Sequence, residues 1–216
     1  LENKSSQWLN KETEEGIMFF TDMLDKLHLM VTSDVDFSGP ISKRNASQRH
    51  TLRDEINLLY QISALTTISI LDLMTVCRGI NSAANIDWLK IFYVKQGYLT
   101  IYETITHYDK EYNKLLNKLI TEDHPLLIVD FKNFTNGFKK FKTNYSSRLA
   151  SVRNKIAGHI HTNFVDYYST VADFKKEDPI AIISTFLQIL TELQQLTIRI
   201  LPESINKTPL NIKQDK

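Results

Sequence analysis

A single cysteine among 216 residues excludes an internal disulfide framework. Cys77 sits in an apolar helical run, the usual place of a small buried hydrophobe, and a reducing, cytoplasmic setting is the expectation. Six glycines and five prolines are too few for the tight turns of an all-β fold, which leaves long helices. Leu1–Gly16 is polar and charged and does not resemble a signal peptide. The most apolar stretch, Ile56–Cys77, contains Gln61, Ser63, Thr66, Thr67, Ser69, Asp72 and Thr75, too many polar groups for a lipid-facing span. It reads as the central helix of a bundle, with no membrane partner, and Asp72 is expected to bond a hydroxyl or a basic group in the core. There is no phosphate-cradling glycine loop, nucleophile elbow or catalytic triad. His28, His107 and His124 have no ligand-spaced partner, and His159-x-His161 alone is a poor metal site. No metal or cofactor is expected.

What is present is helical periodicity. The expected architecture is an all-α, up-and-down antiparallel bundle of about five long helices. The first, about Gln7 to Met30, has an acidic opening and an inward stripe of Ile17, Phe20, Leu24 and Leu27. A polar loop, Thr32–Ser47, separates it from a second helix, about Gln48 to Arg78, with Gly79 as its expected stop. The third, about Ile86 to Ile120, carries Trp88, Phe92, Tyr98, Tyr102, Ile105, Tyr108, Tyr112 and Leu116 as a packing stripe, its tyrosine hydroxyls outward. After His124-Pro125 comes the most regular stripe in the chain: Phe131, Phe134, Phe138, Phe141, Tyr145, Leu149, Val152 and Ile156. Gly158 is placed to end that helix. Gly158–Asp178 reads as a long irregular segment, and Asp178-Pro179 opens a fifth helix to about Leu201. Expected organisation is 1–47 as an N-terminal helix and loop on the bundle, 48–201 as the bundle, and 202–216 as a flexible tail.

Charge is distributed unevenly. Between Asp130 and Asp166 there are Lys132, Lys139, Lys140, Lys142, Lys155, Arg148 and Arg153, two histidines and no acid. That is +7, in a chain whose net charge is +1. Exposed helices generally mix both signs, so an unrelieved positive segment points to a polyanion such as RNA. It ends in Arg153-Asn154-Lys155-Ile156-Ala157-Gly158-His159. Here Arg153 lies at the margin of the packed stripe, and Gly158 permits a turn that folds the His159 imidazole back towards the guanidinium. An imidazole titrating near neutrality can take the proton of a ribose 2′-hydroxyl or give one to the leaving 5′-oxygen. The arginine fork can hold the phosphate and stabilise its extra charge. Asn154 would orient either group. Lys139, Lys140, Lys142, Arg148, Lys155 and His161 are the candidate phosphate contacts.

The run Arg153–His159 resembles the signature of HEPN domains: an arginine, a polar neighbour, then a histidine after four to six positions. The same spacing occurs in Arg44-Asn45-Ala46-Ser47-Gln48-Arg49-His50, but that copy begins in the polar loop. Only the second copy ends a core-forming helix inside the basic segment. The resemblance spans about Gln48 to Leu201. It implies a bundle that dimerises so that two arginine–histidine pairs face one cleft, and a metal-independent endoribonuclease of a toxin–antitoxin, abortive-infection or antiviral system, with an antitoxin or defence partner protein. The alternative it implies is an inactive module of the same fold that binds RNA, a nucleotide or a protein.

Overall fold

The computed structural model describes residues 14–26, 28, 46–83, 87–157, 164–174 and 177–206; for 46–53, 156–157, 164, 166, 173 and 202–206 it describes the backbone alone. The described chain is an all-α bundle. The elements are α1 (14–26), α2 (Ala46–Ser82), α3 (Asp87–His107), α4 (Asn113–Asp123), α5 (Ile128–Val152), α6 (Phe164–Phe174) and α7 (Pro179–Asn206). Contacts pair α2 with α3 and α7, and α5 with α3 and α7, all four pairs antiparallel, so α2 and α5 stand at opposite corners. Residues 14–26 lie along α2, with Glu14 paired to Arg78 at 2.6 Å and Gly16 against Met74. Ile17, Phe20 and Leu24 are its half-buried side, as their spacing predicts, and Leu27 lies outside the described residues.

The buried polar groups of α2 explain why so apolar a helix carries so many hydroxyls. By length and composition Asp54–Ser82 could cross a membrane, yet half of its most apolar window is buried inside the bundle. Ser63, Thr66, Thr67 and Ser69 are all buried. Ser63 Oγ donates to Thr197 Oγ1 (3.1 Å), Gln194 Nε2 to Thr67 Oγ1 (3.1 Å), and the Ser69 and Thr104 hydroxyls share a 2.8 Å bond. Thr66 Oγ1 returns to the carbonyl of Ile62 at 2.9 Å. Each hydroxyl is therefore satisfied, three of them across a helix interface, where an unsatisfied one would cost about 1–3 kcal/mol. Asp72 departs from its expectation. It lies on the exposed side of α2, because its position falls between the two buried stripes.

Several boundaries differ from the sequence reading. Gly79 does not stop α2; its carbonyl accepts the amide of Ala83 at 3.0 Å, and a Cβ there would run into the Tyr93 ring. Gly79 thus lets α3 approach α2. Gly97 does the same where α3 meets Ile183 of α7 and Val76 of α2. The third helix continues to Asp123 through a wide π-helical turn, Tyr108–Tyr112. In a straight α-helix the residues from Tyr108 to Ile120 would turn about 120° past three whole turns. The wide turn absorbs that excess, so Tyr108, Leu116 and Ile120 all stay in the core. Trp88 and Phe92 are 56% and 48% exposed, whereas Ile91 and Val94 carry the buried side of the same turns. Tyr98 and Tyr108, by contrast, are buried, hydroxyl included.

Gly158–Asp178 is not irregular throughout: it contains α6, whose Thr170, Val171 and Phe174 are buried. Asp178 caps α7 as predicted, its Oδ1 accepting the amide of Ala181 at 3.1 Å, with Pro179 next to it. The backbone of α7 continues through Pro202 to Asn206, so the predicted tail boundary is too early; 207–216 lies outside the described residues. Phe131, Phe134, Phe138, Phe141, Leu149 and Val152 of α5 are buried as their spacing requires.

Candidate functional site

The basic segment occupies α5 and the turn that follows it. At Arg153 the α-helix opens into a second wide turn, Arg153–Ala157, packed against α3 and α6. Val152 is fully buried, and Arg153, Asn154 and Lys155 are then exposed in succession. A wide turn of this kind commonly marks a functional position in a helix, because it presents neighbouring side chains at spacings an α-helix does not allow. Arg153 Nη1 donates to Asn154 Oδ1 at 3.2 Å, and Nε faces Glu103 Oε1 of α3 at 3.9 Å. Asn154 thus lies against the Arg153 guanidinium. Glu103 was not identified from the sequence, since it lies 50 residues away on another helix. His159 and His161 lie outside the described residues, as do Arg44 and Asn45 of the first motif copy; the backbone at His50 is helical, within α2.

The positive segment is less unrelieved in space than along the chain. Lys142 Nζ pairs with Asp109 and lies 5.6 Å above the Phe138 ring. Arg148 Nε is 2.9 Å from Glu177 Oε1, and its guanidinium lies over the Phe174 ring at 5.2 Å. Tyr98 Oη donates to the other oxygen of Glu177 at 2.9 Å. Burial, then the charge of Glu177, push the Tyr98 phenol well above the ordinary tyrosine value. Tyr98, Glu177, Arg148 and Phe174 therefore form a clamp joining α3, α5, α6 and the start of α7, immediately behind the motif turn. The two candidate phosphate contacts Lys142 and Arg148 are engaged in the fold. Lys139, Lys140 and Lys155 are exposed, with no ion pair among the described residues.

One groove was not anticipated. Between α4 and α5 a cleft of about 190 Å³ is lined by Lys132, Lys139, Asn136, Thr135, Asn117 and Thr121, over a floor of Ile128 and Phe131. Its lining carries two cations and no carboxylate. At the far end of the bundle His124 is buried, with Nε2 3.2 Å from Glu55 Oε1 of α2, a partner the linear spacing of histidines does not reveal. Comparison with known proteins finds no matching family model, no matching curated protein and no matching solved structure.

Proposed function

We propose that the chain is a HEPN-like, metal-independent endoribonuclease of toxin or antiviral-defence type, working as a cytoplasmic homodimer. The observation that carries this reading is the wide turn at the end of α5. It exposes Arg153 with Asn154 on one nitrogen and Glu103 beside another, six positions before His159 on the chain. Asn154 accepts a hydrogen bond from Nη1, and Glu103, at 3.9 Å, is a neighbouring charge outside hydrogen-bond distance. The guanidinium's remaining N–H groups are left for a phosphate, which an arginine fork can take in bidentate fashion.

In the proposed reaction the ribose 2′-oxygen attacks phosphorus, forming the 2′-O–P bond as the P–O5′ bond breaks. His159 removes the 2′ proton as general base, and the second histidine of the dimer protonates the 5′-oxygen. Arg153 stabilises the charge gathered on the non-bridging oxygens. The products are a 2′,3′-cyclic phosphate and a free 5′-hydroxyl. Lys155 supplies further positive charge at the turn, and Lys140 adds to the field from more than three turns back along α5. Such an enzyme needs restraint in its host, so a partner protein that neutralises it belongs to the same proposal.

RNA incubated in EDTA tests it. Wild-type protein is expected to yield cyclic-phosphate ends. Arg153→Ala is expected to slow cleavage by about 10²–10³-fold, and His159→Ala to abolish it with the thermal transition unchanged. Cleavage that survives His159→Ala overturns the assignment. Salt-sensitive RNA binding without cleavage identifies the site as a binding module instead.

A further inference from the structure

Lys132, Lys139 and Ser146 of α5 and Arg153, the first residue of the wide turn, recur every seven residues, and all four are exposed. A seven-residue repeat drifts only about 20° per step around an α-helix, so the four lie on one face as a narrow stripe. Asn136 and Thr143 fill the positions between them, also exposed. No acid occurs in α5 after Asp130, and Asp130 is paired with Arg199 of α7. At one end the stripe enters the α4–α5 groove, where Lys132 and Lys139 have no ion pair among the described residues. At the other end it reaches the motif turn. Of the acids that pair with this segment from α3 and its wide turn, Asp109 is held by Lys142 and Glu103 faces Arg153 at the end of the stripe.

The size of the groove restricts what it takes. About 190 Å³ is smaller than the roughly 300–1,000 Å³ of pockets that enclose a whole small molecule. It suits one phosphate of a chain lying across it, with amide and hydroxyl groups of Asn117, Thr121 and Asn136 beside the two ammonium groups. One helix face, on a rod about 10–12 Å across, has room for a single strand. From Lys132 to Arg153 the helix rises about 32 Å, a length covered by about nine stacked nucleotides at roughly 3.4 Å each.

We infer that this stripe is a track for single-stranded RNA, with a backbone phosphate seated in the α4–α5 groove and the strand running along α5 to the motif. The inference rests on the reading of that motif as an RNA-cleaving site. It assigns Lys132 and Asn136 to the substrate path and leaves Lys142 and Arg148 to the fold.

Binding is measured on the His159→Ala protein with fluorescent oligouridylates of four and twelve nucleotides, across a salt series. The twelve-mer is expected to bind more tightly than the four-mer. Lys132→Ala with Lys139→Ala is expected to lower twelve-mer affinity and to flatten the plot of log K against log salt by about 1.4, about 0.7 for each lost phosphate contact on a single strand. The four-mer should respond less. Lys→Gln versions at the same positions, with the thermal transition as control, separate a charge effect from misfolding. An unchanged slope overturns the track, as does a twelve-mer that fails to bind or poly-glutamate bound with the same dependence on both lysines. The two proposals fail separately. RNA cleavage in EDTA that is indifferent to Lys132 and Lys139 retains the nuclease and removes the track. Lysine-dependent RNA binding by a protein that never cleaves does the reverse.

Discussion

The glycines of this bundle differ in what an added methyl group would meet. At Gly137, within α5, a Cβ meets nothing within 4 Å. Gly137→Ala is therefore expected to stabilise the protein by about 0.5–1 kcal/mol, the ordinary helix preference for alanine. At Gly79 the added carbon runs into the Tyr93 ring, so the ring has to move. There the same gain is outweighed by about 1–3 kcal/mol of overpacking, so Gly79→Ala should lower the urea midpoint while Gly137→Ala raises it. Gly97 faces the flexible end of Ile183 as well as Val76, and falls between the two. Equal midpoints for the variants at 79 and 137 would contradict this account of the α2–α3 contact. Composition alone could not separate these sites. A glycine after an apolar run looks like a helix end whether or not a neighbouring ring occupies the space its side chain would fill.

The elements themselves were largely legible, because long amphipathic helices repeat their signal many times. The phenylalanine stripe of α5 and the Asp178-Pro179 start of α7 are where their patterns put them. What stayed hidden depends on neighbours brought in by folding. Val171 and Phe174 carry a helical spacing in α6, but eleven residues are too few for it to stand out from a loop. The acids that relieve the basic segment come from elsewhere: Glu103 and Asp109 from α3 and its wide turn, and Glu177 from the approach to α7. No count along one helix can find them. Of the candidate site, the exposed Arg153 and Asn154 were legible, whereas Glu103 and the α4–α5 groove were not. The clamp behind the motif can be tested as one element. Tyr98→Phe should cost about 1.5–3 kcal/mol for its lost hydrogen bond to a charged carboxylate. Arg148→Met should cost about 2 kcal/mol, less than the roughly 3–5 of a fully buried pair, since its two side chains are 20% and 28% exposed. Combined with Glu177→Gln in a denaturation cycle, Arg148→Met should couple by more than about 0.5 kcal/mol. Strict additivity would show that the two charges act independently.

For the molecule as a whole, the buried acids that matter above neutrality are phenols and one thiol. Burial lifts Tyr60, Tyr98 and Tyr108 above the ordinary tyrosine value of 10.0, and lifts Cys77 from 9.0 to about 11. In each case the folded chain holds a proton that the unfolded chain releases sooner. Their contribution to stability is then constant below about pH 9 and declines as pH rises through 9 to 11 and beyond. Urea midpoints measured from pH 7 to 11 should fall only in the upper part of that range. A midpoint that stays level to pH 11 would show that these groups titrate alike in both states. The same arrangement makes Cys77 slow towards alkylating reagents while the bundle is intact.

The wide turn at Tyr108–Tyr112 has a further meaning for the gene. It contains one surplus residue relative to a regular helix and absorbs it, which keeps α4 in phase with α3. Loss of a single codon there would leave a straight rod whose lower half still faces inward, whereas gain of one would swing Leu116 and Ile120 out of register. Natural length variation in this protein should accordingly be one-sided at that joint: shorter versions keep the same interior, and longer ones have to rebuild it.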